Sequence, residues 1–215
     1  VQRTKAIWAG RKGPPILQGL WDVLRLLQKR AVYSASTTIV FRIAPYVLLA
    51  TAGLSTLFVP VLGQAPLCSF PLDFVWFAYA WGLGRVLAML AALDVGSSFE
   101  GMGAAREALF ASLLEPVLFV ALGALCIATG SYSIADAVVQ PLGGGAGWVV
   151  GLGALLALFV VLQVETARVP VDDPATHLEL TMVHEVMVLD HSGPDLAAVQ
   201  LGAAVKLTVG LSLVA

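Results

Sequence analysis

Apolar residues gather in long blocks along most of this chain, and the blocks are parted by short stretches of very different character. The blocks lie at residues 37–62, 72–93, 106–130, 148–166 and 196–215. About 20 apolar residues in helical conformation cross a bilayer's hydrocarbon core, so the pattern predicts five membrane-spanning helices. The short alternating segments of an outer-membrane barrel do not occur. The fold class expected is an all-α, polytopic helix bundle, with residues 1–215 forming one transmembrane domain. The chain opens on Val1 and its final block stops without polar flanks, which leads us to expect a partial chain with further helices at both ends.

Ahead of the first block, residues 1–13 are polar and basic (Arg3, Lys5, Arg11, Lys12). Residues 14–30 follow a break at Gly13-Pro14-Pro15. Ile16, Leu17, Leu20, Val23, Leu24 and Leu27 recur there at helical spacing, with Asp22, Arg25, Lys29 and Arg30 opposite. That segment is too short and too charged to span; it predicts an amphipathic helix in the membrane interface, or one packed on protein. Residues 95–105, with Glu100 among glycines and serines, are expected as a polar turn. Residues 131–147 are expected as a loop with a short helical piece.

Residues 165–195 differ most from the rest. Seven of the fourteen acidic residues and all three histidines fall within them, with Arg168 the only cation. Arg168 lies three positions after Glu165, which predicts one shared helical face. Asp172-Asp173-Pro174 reads as a helix cap followed by proline in the first turn, opening a short helix to about residue 189. His177, His184 and His191 repeat every seven residues, near one helical face. The set lacks a cysteine or a close-spaced ligand pair, which argues against a metal site. The loops at residues 63–71 and 131–147 hold no Lys or Arg, whereas the N-terminal segment, the turn before Arg106 and the stretch holding Arg168 carry them. With five spans these lie on one side, and the positive-inside rule makes that side cytoplasmic.

Composition adds two constraints. The chain is 59% apolar and 12% charged, about half the charge of a soluble domain. Net charge is −2, which gives no footprint for nucleic acid. Two cysteines, Cys68 and Cys126, are too few to ligate an iron–sulfur cluster or build a disulfide framework.

Three charges fall near the middle of the apolar blocks: Arg85, Glu115 and Lys206. A lone charge at mid-membrane costs at least about 3 kcal/mol, so such residues face a partner, an interior or water. Ion or proton transfer is one use; an ion pair such as Arg85–Glu115 that only fixes packing is the other. Pro116 removes the backbone donor to the Ser112 carbonyl beside Glu115.

The run Glu165-Thr-Ala-Arg168-Val-Pro170-Val-Asp172, then Glu179-Leu and His191-Ser192-Gly193, resembles the loop of the respiratory complex I subunit 1 family. Gly10-Arg11-Lys12-Gly13-Pro14-Pro15-Ile-Leu-Gln18, then Asp22 and Leu26-Leu27-Gln28-Lys29, resembles that family's amphipathic segment, and Glu115 its intramembrane glutamate. Quinone-reducing members carry Arg-x-Pro-Phe-Asp and Glu-Tyr-Ser-Gly. Here the runs are Arg168-Val-Pro170-Val171-Asp172 and Asp190-His191-Ser192-Gly193, which is similar to the membrane subunit of group 4 [NiFe] hydrogenases of the formate hydrogenlyase and hydrogenase-4 type.

The resemblance implies a non-catalytic membrane anchoring and proton-coupling subunit of an oxidoreductase complex in a prokaryotic inner membrane. Implied partners are hydrogenase large and small subunits, a ferredoxin-like iron–sulfur subunit and antiporter-like membrane subunits. The [NiFe] centre and iron–sulfur clusters would sit in those partners, with no cofactor in this chain. It assigns a proton path to Glu115, Glu165, Arg168, Arg85, Lys206 and Asp94. Docking of the redox arm, through an acidic funnel, falls to Asp172, Asp173, Glu179, Glu185 and Arg11. A quinone-site subunit, and a passive anchor without pumping, remain as alternatives; the quinone-site subunit would need a quinone-sized cavity under the amphipathic helix.

Overall fold

The structure, a computed structural model, describes residues 2–15, 17–140, 142, 144–168, 171–172 and 182–214. Its elements in chain order are α1 (Gln2–Trp8), α2 (Gln18–Leu27), α3 (Ile39–Ser55), α4 (Asp73–Val95), α5 (Ser98–Thr129), α6 (Ile134–Val139), α7 (Ala146–Glu165), α8 (His184–Met187) and α9 (Gly193–Val214). No strand occurs among the described residues. Helices α4, α5, α7 and α9 are long and apolar enough to cross a membrane, and α3 is a shorter apolar helix. The protein is therefore a multi-pass membrane helix bundle.

Helix α3 packs against α4 and α9, α5 lies between α4 and α7, and α7 also touches α9. Where helices cross, small residues let backbones approach. A Cβ on Gly84 would come 2.6 Å from Thr51 Oγ1, and one on Gly202 would strike the Leu48 side chain. Lipid tails are as apolar as leucine, so association rests on this close fit rather than on burial from water. The main core, including Phe77, Trp81, Leu118, Leu122, Val161 and Val209, lies between α4, α5, α7 and α9.

The start of α3, the α4–α5 turn, the end of α7 and the start of α9 lie on one face of the bundle, here termed the loop side. Asp94 at the end of α4 accepts hydrogen bonds from Thr38 N (2.6 Å) and Thr38 Oγ1 (2.9 Å) at the start of α3. Ser192 Oγ accepts from Val32 N (2.9 Å) just before α9. On the opposite face, buried Asp73 at the start of α4 accepts from Ser133 Oγ (2.6 Å) and Ile134 N (2.8 Å), which fixes α6.

The structure corrects several sequence expectations. The first span is 17 residues, ending at Ser55, and the chain then turns into a short 3-10 segment, Val61–Gly63. Helix α2 is shorter than residues 14–30; its apolar Leu20, Trp21, Leu24 and Leu27 are exposed, Val23 is buried, and it packs on α9. The polar turn expected at residues 95–105 is mostly helix. Gly96, at φ 77°, ends α4 in the left-handed conformation, and α5 starts at Ser98.

Another glycine of this stretch, Gly103, serves packing instead. A Cβ there would lie 3.0 Å from both Met187 Cγ and Val183 O of the α8 segment. We expect Gly103→Val to lift α8 off α5 at a cost of about 1–3 kcal/mol, the usual range for overpacking. Amide hydrogen exchange over residues 182–192 would rise; unchanged protection there would refute the contact's importance.

The acidic stretch also departs from a surface loop. Glu165 is the last residue of α7, yet it bonds to Lys206, 13 residues into α9. Its other partner, Arg85, lies 10 residues before the end of α4. At 1.5 Å per residue, α7 stops roughly 15 to 20 Å short of its neighbours' loop-side ends. Of the chain that follows, α8 seats against α5 and α4. Arg168 does not share a helical face with Glu165, because Ala167 turns back at φ 47° and the helix has already closed. Of the expected helix reaching residue 189, His184–Met187 is helical, while residues 173–181 lie outside the described residues.

Candidate functional site: a buried chain of ion pairs

Five elements bring their isolated charges to one place. Arg85 on α4 fans its guanidinium toward three carboxylates. Nε lies 3.2 Å from Glu107 Oε1, Nη1 lies 3.3 Å from Glu115 Oε1, and Nη2 pairs with Glu165 Oε1. Glu165 continues the chain through Oε2, 3.2 Å from Lys206 Nζ on α9. Glu107 continues it the other way through Oε2, 3.4 Å from His184 Nδ1 on α8. The order is thus His184, Glu107, Arg85, Glu165, Lys206, with Glu115 as a branch.

The local sequence explains why these side chains meet. Glu100 and Glu107 fall seven residues apart on α5, close to two whole turns, so they share an inward face, while Glu115, eight residues further on, is turned about 80° from it. Gly82 on α4 leaves room for Glu115: a Cβ there would sit 3.3 Å from Glu115 Oε1. Lys206 Nζ also lies 5.4 Å from the Trp81 ring centroid, where the ring's face supplies further negative potential. Arg85, Glu107, Glu165 and Lys206 are all buried. Glu115 is not: its side chain is 44% exposed on the outer face of the bundle, 17 residues into the 32-residue α5.

With ordinary charges, two cations face three carboxylates, leaving one negative charge in excess. A protonated His184 would balance it. Burial pushes the His184 imidazole below its ordinary pKa, partly offset by the Glu107 carboxylate; Asp172 acts in the same direction as Glu107, while Lys206 and Arg85 oppose it. His184 is the partly open end of the chain, with 34% of its side chain exposed.

The segment that carries His184 is pinned by hydrogen bonds, one buried and three partly buried. Asp172 Oδ2 accepts from His184 N (2.9 Å) and Val183 N (3.4 Å), so it caps α8. Arg106 Nη1 donates to Met182 O at 3.0 Å, and buried Glu100 Oε1 accepts from Asp190 N at 3.3 Å. Nearby, His191 stacks on Phe41 with centroids 4.0 Å apart, and burial lowers its pKa. His191 therefore does not share a face with His184, and His177 lies outside the described residues.

The other expected site residues are distributed differently from the sequence expectation. Asp94 sits nine residues beyond Arg85, about 14 Å along α4, and serves the start of α3 rather than the ion-pair chain. Asp172 is buried and turned toward α8, so it is not a surface carboxylate of a funnel. Glu185 and Arg11 are exposed, and Asp173 and Glu179 lie outside the described residues. Sequence pattern alone misses Glu107 and His184 as members of the site: an apolar block that begins at Arg106 cuts the carboxylate stripe that would reveal Glu107.

Arg168 borders a separate cavity of about 960 Å³ between α1, α2 and α9. Its lining is mixed: Gln18, Asp22, Arg25 and Lys29 from α2 and its flank, with Leu196 and Gln200 from α9.

A family model described as NADH dehydrogenase matches residues 2–215. Hydrogenase-4 component C of Escherichia coli is 29% identical over 215 residues, covering 99% of this chain and 66% of its own length. Formate hydrogenlyase subunit 4 of the same organism is 29% identical over 208 residues, covering 94% of this chain and 66% of its own. An NADH-quinone oxidoreductase subunit of Rubrobacter xylanophilus is 28% identical over 203 residues, with 93% and 60% covered. The chain thus spans just under two thirds of the length of these relatives. Among solved structures, a chain of the membrane-bound sulfane sulfur reductase, an archaeal respiratory membrane complex, matches with a TM-score of 0.79 and 21% identity. It covers 98% of this chain and 69% of its own length, a likeness of fold.

Proposed function

This chain belongs to the NADH dehydrogenase family of membrane subunits, and from that membership we propose that it couples a peripheral redox arm to ion movement in a complex I-like, energy-converting [NiFe] hydrogenase. The observation that carries the reading is the continuous chain from His184 through Glu107, Arg85 and Glu165 to Lys206, with Glu115 opening outward. Charged groups buried among apolar helices make a costly arrangement if packing were their whole purpose, since hydrophobic residues of like volume pack as well or better. Such a row responds to a nearby change of charge by redistributing protons along its length.

In this reading the loop side is cytoplasmic and receives the hydrogenase large and small subunits and a ferredoxin-like iron–sulfur subunit. Those partners hold the [NiFe] centre and the iron–sulfur clusters; this chain contributes carboxylates and cations to the membrane path. The similarity to hydrogenase-4 component C and formate hydrogenlyase subunit 4 supports that arm. Glu115 marks the exit. A half-exposed carboxylate midway along a membrane helix is too costly to leave facing lipid, so an antiporter-like neighbour would cover it and continue the path.

A second reading, a quinone-site subunit, is favoured by the cavity beside Arg168, whose volume falls within the range of small-molecule sites. Purification from native membranes separates the two. A large [NiFe] subunit in the complex supports the first, and an NADH-oxidising module supports the second. For coupling itself, Glu115→Gln is expected to leave assembly intact and reduce ion movement per redox turnover by at least about tenfold, since a positioned proton-transfer group contributes about 10²- to 10⁴-fold. Unchanged ion movement, measured in sealed vesicles with a pH-sensitive dye, would refute the exit role.

A further inference from the structure

We propose that His184 is the group through which protons pass between the loop side and the buried ion-pair chain. The proposal deepens the coupling reading above and rests on it.

Position singles His184 out. Lys206 is buried, and Glu115 opens toward the outer surface midway along α5. His184 alone among the chain's members lies on the loop-side segment, and it is partly open. Its Nδ1 faces Glu107 Oε2 at 3.4 Å, and the other oxygen of that carboxylate faces Arg85 Nε at 3.2 Å. A proton moving inward therefore has a defined route. It binds the outer ring nitrogen, and the ring gives up the proton on Nδ1 to Glu107. The imidazole returns to neutrality as its other tautomer, and Glu107 becomes a neutral acid. One proton enters the ring, one leaves it, and no other bond changes.

Charge supports that route. Carboxylates face the ring from α5 (Glu107) and from the segment before α8 (Asp172). The cations are Arg85 from α4 and Lys206 from α9, and Glu185, next in the chain, is exposed. The net result is a depressed imidazole pKa. A ring that is neutral near pH 7 can receive a proton and release it, whereas one held permanently charged cannot. Position is also held firmly: Asp172 fixes the His184 backbone N–H, and Arg106 fixes the carbonyl of Met182 two residues earlier. A side chain present only to fill space would not require two charged groups to aim its backbone.

The test uses the whole complex in sealed vesicles, driven by reduced methyl viologen, with proton movement read by a dye at several pH values. His184→Ala is expected to move protons at least tenfold more slowly, and added imidazole should restore part of the rate. His184→Gln, which keeps a hydrogen-bonding group beside Glu107, should assemble normally and stay slow, with its rate flat across the pH range where the wild type changes. Glu165→Gln runs alongside as the control for the coupling reading. If the His184 variants pump at the wild-type rate while Glu165→Gln does not, the proposal fails and the coupling reading stands. If all the variants pump normally, both fail. A slow His184→Ala that imidazole does not rescue, joined to a His184→Gln of wild-type pH profile, assigns the histidine to packing and overturns the proposal.

Discussion

Replacing Arg85 by leucine is expected to stop this protein from accumulating in folded form. The guanidinium contacts Glu107, Glu115 and Glu165 through three different nitrogens, and Glu107 and Glu165 are buried. Removing one member of a buried charge network leaves its partners without compensation, a loss of about 3–5 kcal/mol. That is a large share of the roughly 5–15 kcal/mol by which a typical domain is stable. Arg85→Lys should fall between, because an ammonium is a point charge and cannot serve three separated carboxylates at once. Pairing Arg85→Leu with Glu165→Gln should recover part of the loss by removing the buried carboxylate that is left behind. Size-exclusion chromatography of detergent-solubilised protein reads the wild type and all three variants. A wild-type elution profile for Arg85→Leu would show that the carboxylates are not held by the arginine.

The second large effect is expected at Glu165, and it concerns transport more than folding. Among the described residues, Glu165 is the one carboxylate that touches both cations, with Oε1 toward Arg85 and Oε2 toward Lys206. Glutamine keeps the shape but presents one acceptor and one donor group, so one of the cations would face an NH2. We expect the complex to assemble with reduced thermal stability and ion movement to fall by about 10²-fold, the lower end for loss of a positioned proton-transfer group. Glu165→Asp retains the charge on a shorter stem and should keep a measurable rate. Ion movement per turnover in vesicles separates the two variants, and equal rates for wild type and Glu165→Gln would remove Glu165 from the path.

Much of the fold was legible because its signal is local. An apolar run long enough to cross a bilayer is visible without any tertiary information, and α4, α7 and α9 fall within a few residues of the expected blocks. Arg85, Glu115 and Lys206 were legible for the same reason, as charges isolated in hydrocarbon. Glu107 was not, because Arg106, Glu107 and the glycines before them resemble an ordinary polar boundary; only the packing of α8 against that end of α5 makes it an interior. Asp172 and His184 depend on a longer-range fact still. Their placement follows from where α7 ends relative to α4, α5 and α9, and no local pattern records relative depth. The same holds for Asp94, which looks like any carboxylate at a span's end until Thr38 is seen beside it.

The early end of α7 also has an electrical meaning. A membrane voltage drops mostly across the low-dielectric layer, and Glu165 lies roughly 15 to 20 Å below the loop-side ends of α4 and α9. That depth is about half of a hydrocarbon core ~30 Å thick. In the coupling reading, a charge passing from the loop side to Glu165 crosses about half of the drop, and the steps beyond Glu165 cross the rest. At about 2.3 kcal/mol per charge for each 100 mV, the work against the voltage is divided between the exchange with the redox side and the onward path, so both would respond to it.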